Sequence, residues 1–272
     1  MELLRVRAPA TTANIGPGFD CAAAALDLWN EVEIGDDGEE PDPAHLAVRA
    51  FARVAPLDGL GFAFTDRIPR ERGLGSSAAT IALGLVAGCV VAGREPFADE
   101  LLALGLDLEG HPDNLAAALA GGVCLTWNGS IARVADDAPA RAIALVPQER
   151  VGTAGARAAL PPDVPFSDAA YTAGRATLLG AALASGSTTL FAAAADDRLH
   201  EPYRAVRAPL LDAVRSDLPE GAVGATLSGS GPTVIVWSRR DWVDSCVRQL
   251  EERFPNVDVL ALAITPTGAG PL

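Results

Sequence analysis

The longest apolar run in the chain, Thr80 to Gly93, covers 14 residues and includes Gly84, Gly88 and Gly93. A membrane-crossing helix needs about 20 residues, so this run is too short to span and must be covered inside a water-soluble protein. It is entered through Gly73-Leu74-Gly75-Ser76-Ser77, which sets two glycines and two hydroxyls at the mouth of an Ala/Leu/Val helix. The start, Met1-Glu2-Leu3-Leu4-Arg5, lacks the charged-then-apolar pattern of a secretory leader. Neither membrane attachment nor export is expected.

At 272 residues the chain can form one large domain or two ordinary ones. Its composition, 49% hydrophobic and 21% charged, is that of a globular protein. Strands are expected at Leu3 to Ala8, Leu28 to Ile34, Gly61 to Thr65, Val123 to Trp127, Ala142 to Val146, on both sides of Gly229-Ser230-Gly231-Pro232, and at Val257 to Ile264. Helices are expected from Asp42-Pro43 to about Val54, from Ser77 to near Gly93, from Pro96 onward, and from His111-Pro112 to Gly121. Later helices should cover Asp168 to Ser185, Thr188 to Asp196, Pro202 to Arg215 and Asp241 to Phe254. The pattern has no regular βαβ alternation and no internal repeat. It predicts an α+β protein of two packed layers, divided where Asp136 to Ala140 interrupt it, into 1–139 and 140–272.

Charge narrows the chemistry. A formal net charge of −14 argues against nucleic acid, whose recognition needs a basic patch. All 21 basic residues are arginines, which excludes a lysine nucleophile, a Schiff base and a Walker loop with its lysine. Cys21, Cys89, Cys124 and Cys246 are scattered in apolar company and read as buried thiols in a reducing compartment.

Four segments could carry chemistry. Pro69-Arg70-Glu71-Arg72-Gly73-Leu74-Gly75-Ser76-Ser77-Ala78-Ala79 reads either as a phosphate loop at a helix N-terminus or as a glycine turn before a Ser-capped helix. Pro9-Ala10-Thr11-Thr12-Ala13-Asn14-Ile15-Gly16-Pro17-Gly18-Phe19-Asp20 turns through Gly-Pro-Gly with a polar side chain on either side, as a site or as a tight loop. Leu227-Ser228-Gly229-Ser230-Gly231-Pro232-Thr233 is a hairpin turn or an anion-binding nest. Glu109-Gly110-His111-Pro112-Asp113-Asn114 opens a helix with groups that either cap it or face a ligand, and its ligand set is too poor for zinc.

Taken in this order, the segments resemble the GHMP kinases. The stretch Pro69 to Ala79 is similar to their nucleotide loop. PATTANIGPGFD, EGHPDN and LSGSGPT are closest to the versions found in the homoserine kinase subfamily. Thr153-Ala154-Gly155-Ala156-Arg157 with Leu160-Pro161, and His200-Glu201-Pro202-Tyr203-Arg204, match the same subfamily.

The resemblance implies an N-terminal, nucleotide-binding half like ribosomal protein S5 domain 2 (1–139) and a ferredoxin-like C-terminal half (140–272). It implies ATP and Mg²⁺, and phosphorylation of L-homoserine to O-phospho-L-homoserine for threonine biosynthesis, in the cytoplasm, with a homodimer as the assembly the family suggests. Pro69 to Ala79 would hold ATP. Ser77, with Ser76 as the alternative, and Asp107, or Glu109 if the local alignment slips, would hold the metal. Asn14, Asp20, His111, Asn114, Thr153 and Gly231 would line the amino-acid pocket, and Arg157 and Arg204 would clamp the carboxylate, a task suited to the planar guanidinium fork. Asp113, Asn114 and Arg157 would serve the chemical step, with Asp113 the nearest candidate for the hydroxyl proton. Other readings on this fold are a kinase for a different small alcohol and a catalytically silent nucleotide-binding regulator.

Overall fold

The computed structural model describes residues 3–36, 39–150, 153–206 and 208–272. A first set of elements runs β1 (Leu4–Ala13), β2 (Ala22–Gly35), α1 (Leu46–Phe51), β3 (Gly61–Thr65), α2 (Ser76–Val91), α3 (Ala98–Glu109), α4 (Pro112–Ala120), β4 (Val123–Trp127) and β5 (Ser130–Ala135). A second runs β6 (Arg141–Val146), α5 (Thr153–Ala158), α6 (Phe166–Ser185), α7 (Thr188–Ala194), α8 (Glu201–Ala205), α9 (Leu210–Arg215), β7 (Ala222–Leu227), β8 (Val234–Ser238), α10 (Val243–Arg253), β9 (Asp258–Leu262) and β10 (Gly270–Pro271).

The first sheet has the order β10-β1-β2-β4-β5, with β3 also on β2. β1 and β2 reach well beyond the strands expected from their apolar cores. Ala10 to Ala13 pair with Ala23 to Leu26 after a register shift at Pro9/Ala10, where Pro9 brings no N–H to the ladder. This stretch is rich in alanine, and its small side chains let α2 and α4 lie close on the sheet. Residues on every side of α2 are buried, so it is a central helix rather than an amphipathic one. That explains its continuous apolar sequence.

The second sheet has the order β7-β8-β6-β9, all antiparallel, the βαββαβ arrangement of a ferredoxin-like unit. Side chains alternate between its faces. Ala142, Ala144, Val146, Ile235 and Trp237 join the large core shared with the first sheet. Ile143, Leu145, Leu227, Val234 and Val236 form a second core with Leu211, Val214, Cys246 and Leu250. Both faces are covered, so β6 and β8 read as unbroken apolar runs. Backbone bonds from Asp27 to Ala263 (2.9 Å) and from Thr265 to Ala25 (3.0 Å) stitch the two sheets together, and β10 returns to pair with β1.

Some elements differ from expectation. The helix predicted from Pro202 to Arg215 is two helices, α8 and α9, because Pro209 can start a helix but cannot continue one. α1 begins only at Leu46, after His45, and Asp42 instead caps a turn by accepting the Ala44 N–H at 2.8 Å. No helix is long and apolar enough to cross a membrane among the described residues.

Candidate active site

The mouth of α2 organises one end of the site. Its N-cap, Gly75, is left-handed (φ 64°), and no side chain caps the helix. The N–H groups of the first turn therefore remain available, and with the helix dipole they favour an anion. A side chain at 75 is excluded: its Cβ would stand 1.8 Å from Thr11 Oγ1 and 3.1 Å from Asn114 Oδ1. Gly73 (φ 83°) is confined from the other side, where a Cβ would come within 2.4 Å of the Ser228 carbonyl oxygen. Ser228 Oγ donates to the Gly73 carbonyl at 2.6 Å and lies 2.9 Å from Thr12 Oγ1. The loop between β7 and β8 thus braces the glycine loop before α2.

A cavity of about 220 Å³ opens beneath this mouth. Gly73, Gly75, Ser76 and Ser77 line one end, and Asn14, Asp20, His111, Arg157, Arg204, Gly229 and Ser230 the other; Glu71, Glu109, Asp113 and Asn114 complete the wall. A second cavity of about 400 Å³ shares Glu71, Ser76 and Ser77 and extends to Asn30, Asp42, His45, Arg70 and Thr80. His45 stacks there on Phe64 with ring centroids 4.0 Å apart.

Each side chain is held by its own element. Asn14, left-handed at φ 71°, donates from Nδ2 to the Gly229 carbonyl (2.9 Å) and accepts the Asp20 N–H (3.1 Å). Its amide ties two loops together. Asp20 accepts from Arg157 Nη2 at 2.5 Å. Arg157 and Arg204 both sit over the Phe19 ring, at 5.6 Å and 5.2 Å from its centroid. Arg204 Nε is buried with no hydrogen-bond partner. Thr11 donates to Asn114 Oδ1 at 2.6 Å, and Asp113 Oδ1 accepts the Asn114 backbone N–H at 2.7 Å.

Burial dominates the titration of the wall. It pushes the Asp113 carboxyl up to about 6 and lowers His111, with Arg157 adding to the effect. Glu109 is pushed up to about 7, again by burial, although Ser77 donates a hydrogen bond to it. Glu109 Oε2 is buried without a partner.

Several assignments need correction. Asp107 does not reach the cavity: its carboxylate is 67% exposed on the outer side of α3, where Arg53 Nη2 donates to it at 2.8 Å. Residues two apart on a helix differ by about 200° around its axis, so Asp107 and Glu109 cannot share a face, and Glu109 is the one that turns inward. Gly231 also stands back from the cavity, donating to the Ser228 carbonyl at 2.8 Å and backed by Leu227; Gly229 and Ser230 take its place. In the Pro69 to Ala79 segment, Leu74, Ala78 and Ala79 are core residues. Arg72 turns to the Gln148 carbonyl at 3.0 Å, and neither it nor Pro69 lines either of these two cavities. The Thr153 side chain lies outside the described residues. Sequence reasoning does not single out Thr11, Thr80, Gly229 and Ser230; each sits inside or beside a motif, but only the tertiary contacts distinguish it.

Comparison with known proteins bears on the chain as a whole. The family profile described as GHMP kinases N terminal domain matches residues 44–122, and that described as GHMP kinases C terminal matches residues 178–256. The homoserine kinase of Streptomyces coelicolor is 41% identical over 267 residues, covering 89% of this chain and 86% of its own. That of Prochlorococcus marinus is 39% identical, covering 87% and 84%. The crystal structure of homoserine kinase from Cytophaga hutchinsonii superposes with a TM-score of 0.88 at 28% identity, over 100% of this chain and 98% of the other.

Proposed function

Since the chain belongs to the GHMP kinases, in their homoserine kinase branch, we propose that it transfers the γ-phosphate of ATP to the side-chain hydroxyl of L-homoserine. One observation carries this reading. A single cavity has an uncapped helix N-terminus at one end and Asp20 with two arginines at the other, with Asp113 and Asn114 on the wall they share. The first end suits a polyphosphate. The second suits a small zwitterion, its ammonium on Asp20 and its carboxylate on Arg157 and Arg204.

The adjoining cavity past Ser76 and Ser77 offers room for the nucleoside. Mg²⁺ fits the residues present, because Glu109 leaves a buried oxygen unpaired beside Ser77 and a hard cation prefers such oxygen ligands. Glu109 and Ser77 would hold it, and when bound it would neutralise charge on the phosphates. The four cysteines are unpaired, which supports a cytoplasmic enzyme.

Magnitudes rank the contributions. Enzymes lower barriers by about 8–23 kcal/mol, whereas a helix N-terminus gives roughly 2 kcal/mol at best. Holding the hydroxyl in line with the phosphate, worth up to about 7–11 kcal/mol, is the larger share. Asn114, fixed by Thr11, orients the hydroxyl, and Asp113 beside it accepts the proton.

A coupled ADP-release assay over a panel of alcohols, with ATP and Mg²⁺, tests the reading. Homoserine should be turned over far better than serine, threonine or mevalonate; comparable or absent turnover of homoserine would sink it.

A further inference from the structure

His200 does not line the cavity, yet it is fully buried directly behind a residue that does. Its Nε2 lies 2.8 Å from the Gly16 carbonyl oxygen, an atom that can only accept, so Nε2 carries a hydrogen. Its Nδ1 lies 3.3 Å from Arg204 Nη1, an atom that can only donate, so Nδ1 carries none. The two neighbours together select one neutral tautomer. Burial opposes a second proton and lowers the ring's pKa to about 4, although Asp197 lies 3.6 Å away. That carboxylate is already engaged by the backbone N–H groups of Leu199, His200 and Glu201.

The consequence falls on Arg204. Nη1 has two hydrogens; one goes to His200 Nδ1 and the other to the Gly229 carbonyl at 3.0 Å. With that nitrogen bonded twice, rotation of the planar guanidinium is opposed by two hydrogen bonds, and its buried Nε is left without a partner. Phe19 completes the mount: it stacks on His200 with centroids 5.0 Å apart and lies beneath the Arg204 guanidinium. A bidentate contact with a carboxylate depends on the angle of the fork, and such contacts are lost when the fork turns.

We propose that His200, as the neutral Nε2–H tautomer, is the positioning residue that fixes the orientation of the Arg204 guanidinium at the amino-acid end of the cavity. The inference rests on the reading of Arg204 as a carboxylate anchor. His200 touches neither substrate nor nucleotide in this role; it acts through Arg204.

The two ring nitrogens can be separated by substitution. Asparagine sets an amide at the position of Nδ1, and glutamine reaches to that of Nε2. His200→Gln, keeping a donor for Gly16 but no acceptor for Arg204, should raise KM for homoserine about tenfold, with kcat and KM for ATP within about twofold. His200→Asn should bring the homoserine KM back to within about threefold of wild type. In an Arg204→Ala background, His200→Gln should add nothing to the homoserine KM. If both His200 variants raise it alike, or if kcat and KM for ATP change as much, the ring is only packing and the proposal is overturned. Should His200→Gln not fold, His200→Asn carries the test alone, and a tenfold rise in its homoserine KM overturns the proposal. The underlying reading fails separately: Arg204→Ala would then leave the homoserine KM at the wild-type value.

Discussion

Thr11 donates its hydroxyl to Asn114 Oδ1 across 2.6 Å, joining two residues 103 positions apart. The bond decides which way the Asn114 amide faces. With Oδ1 held by Thr11, Nδ2 turns toward Asp113, 3.3 Å from its Oδ1. A donor at one end and an acceptor at the other tell the two ends of the carboxamide apart.

Thr11→Val keeps the shape and removes the hydrogen bond. We expect kcat to fall about tenfold, equivalent to roughly 1.4 kcal/mol on the barrier, with KM for both substrates little changed. Thr11→Ser should restore most of the loss. Steady-state kinetics on the three proteins decides the matter, and an unaltered kcat in the valine variant would remove Asn114 orientation from the mechanism.

Glu109 and Asp107 make a matched pair for the metal site. Glu109→Gln should raise the Mg²⁺ concentration needed for half-maximal rate by about tenfold or more, since it removes the only anionic ligand proposed. Asp107→Asn breaks only an exposed contact with Arg53 and should leave the Mg²⁺ titration as it is. The reverse order of effects would restore Asp107 to the site.

Gly75→Ala combines two penalties. A left-handed φ costs a non-glycine residue about 1–3 kcal/mol, and the new Cβ would lie 1.8 Å from Thr11 Oγ1. Gly59 isolates the first of these, since it has a φ of +72° and nothing within 4 Å of the place a methyl group would take. Denaturant midpoints should show Gly59→Ala mildly destabilised and Gly75→Ala more so, with KM for ATP raised only in the latter.

Asp113 should leave its mark on the pH profile. Burial holds its carboxyl at about 6, so at saturating Mg²⁺ kcat/KM for homoserine should climb as the pH rises through 6, when the side chain becomes able to accept a proton. The effect on stability has the opposite direction. Between about pH 4, where an unfolded aspartate ionises, and pH 6, the folded protein keeps a proton that the unfolded chain has released, so stability falls as the pH rises. Asp113→Asn should flatten the rate profile and lessen, without abolishing, the fall in thermal midpoint across this window, because burial also raises Glu109 and Glu201 to about 7.

Much of this was legible in the sequence because the motifs are contiguous and their glycines have local reasons. The helix mouth at Ser76, the turn at His111 to Asn114 and the strands around Ser228 to Pro232 fall where their turn residues place them. What escaped depends on contacts across the fold. Choosing Glu109 over Asp107 required knowing which side of α3 faces α2. The extension of β1 and β2 through alanine-rich stretches required their partner strands. Thr11 looks like any polar loop residue until Asn114 is brought beside it.

The brace from Ser228 to the Gly73 carbonyl has a meaning for biosynthesis. The two residues are 155 positions apart, so a ribosome releases the glycine loop long before the hydroxyl that steadies it. During that interval the nascent first sheet and its central helix can collapse, but the loop lacks its backing. Nucleotide affinity should therefore appear late in translation, when β7 and β8 have emerged and docked, rather than growing in proportion to chain length.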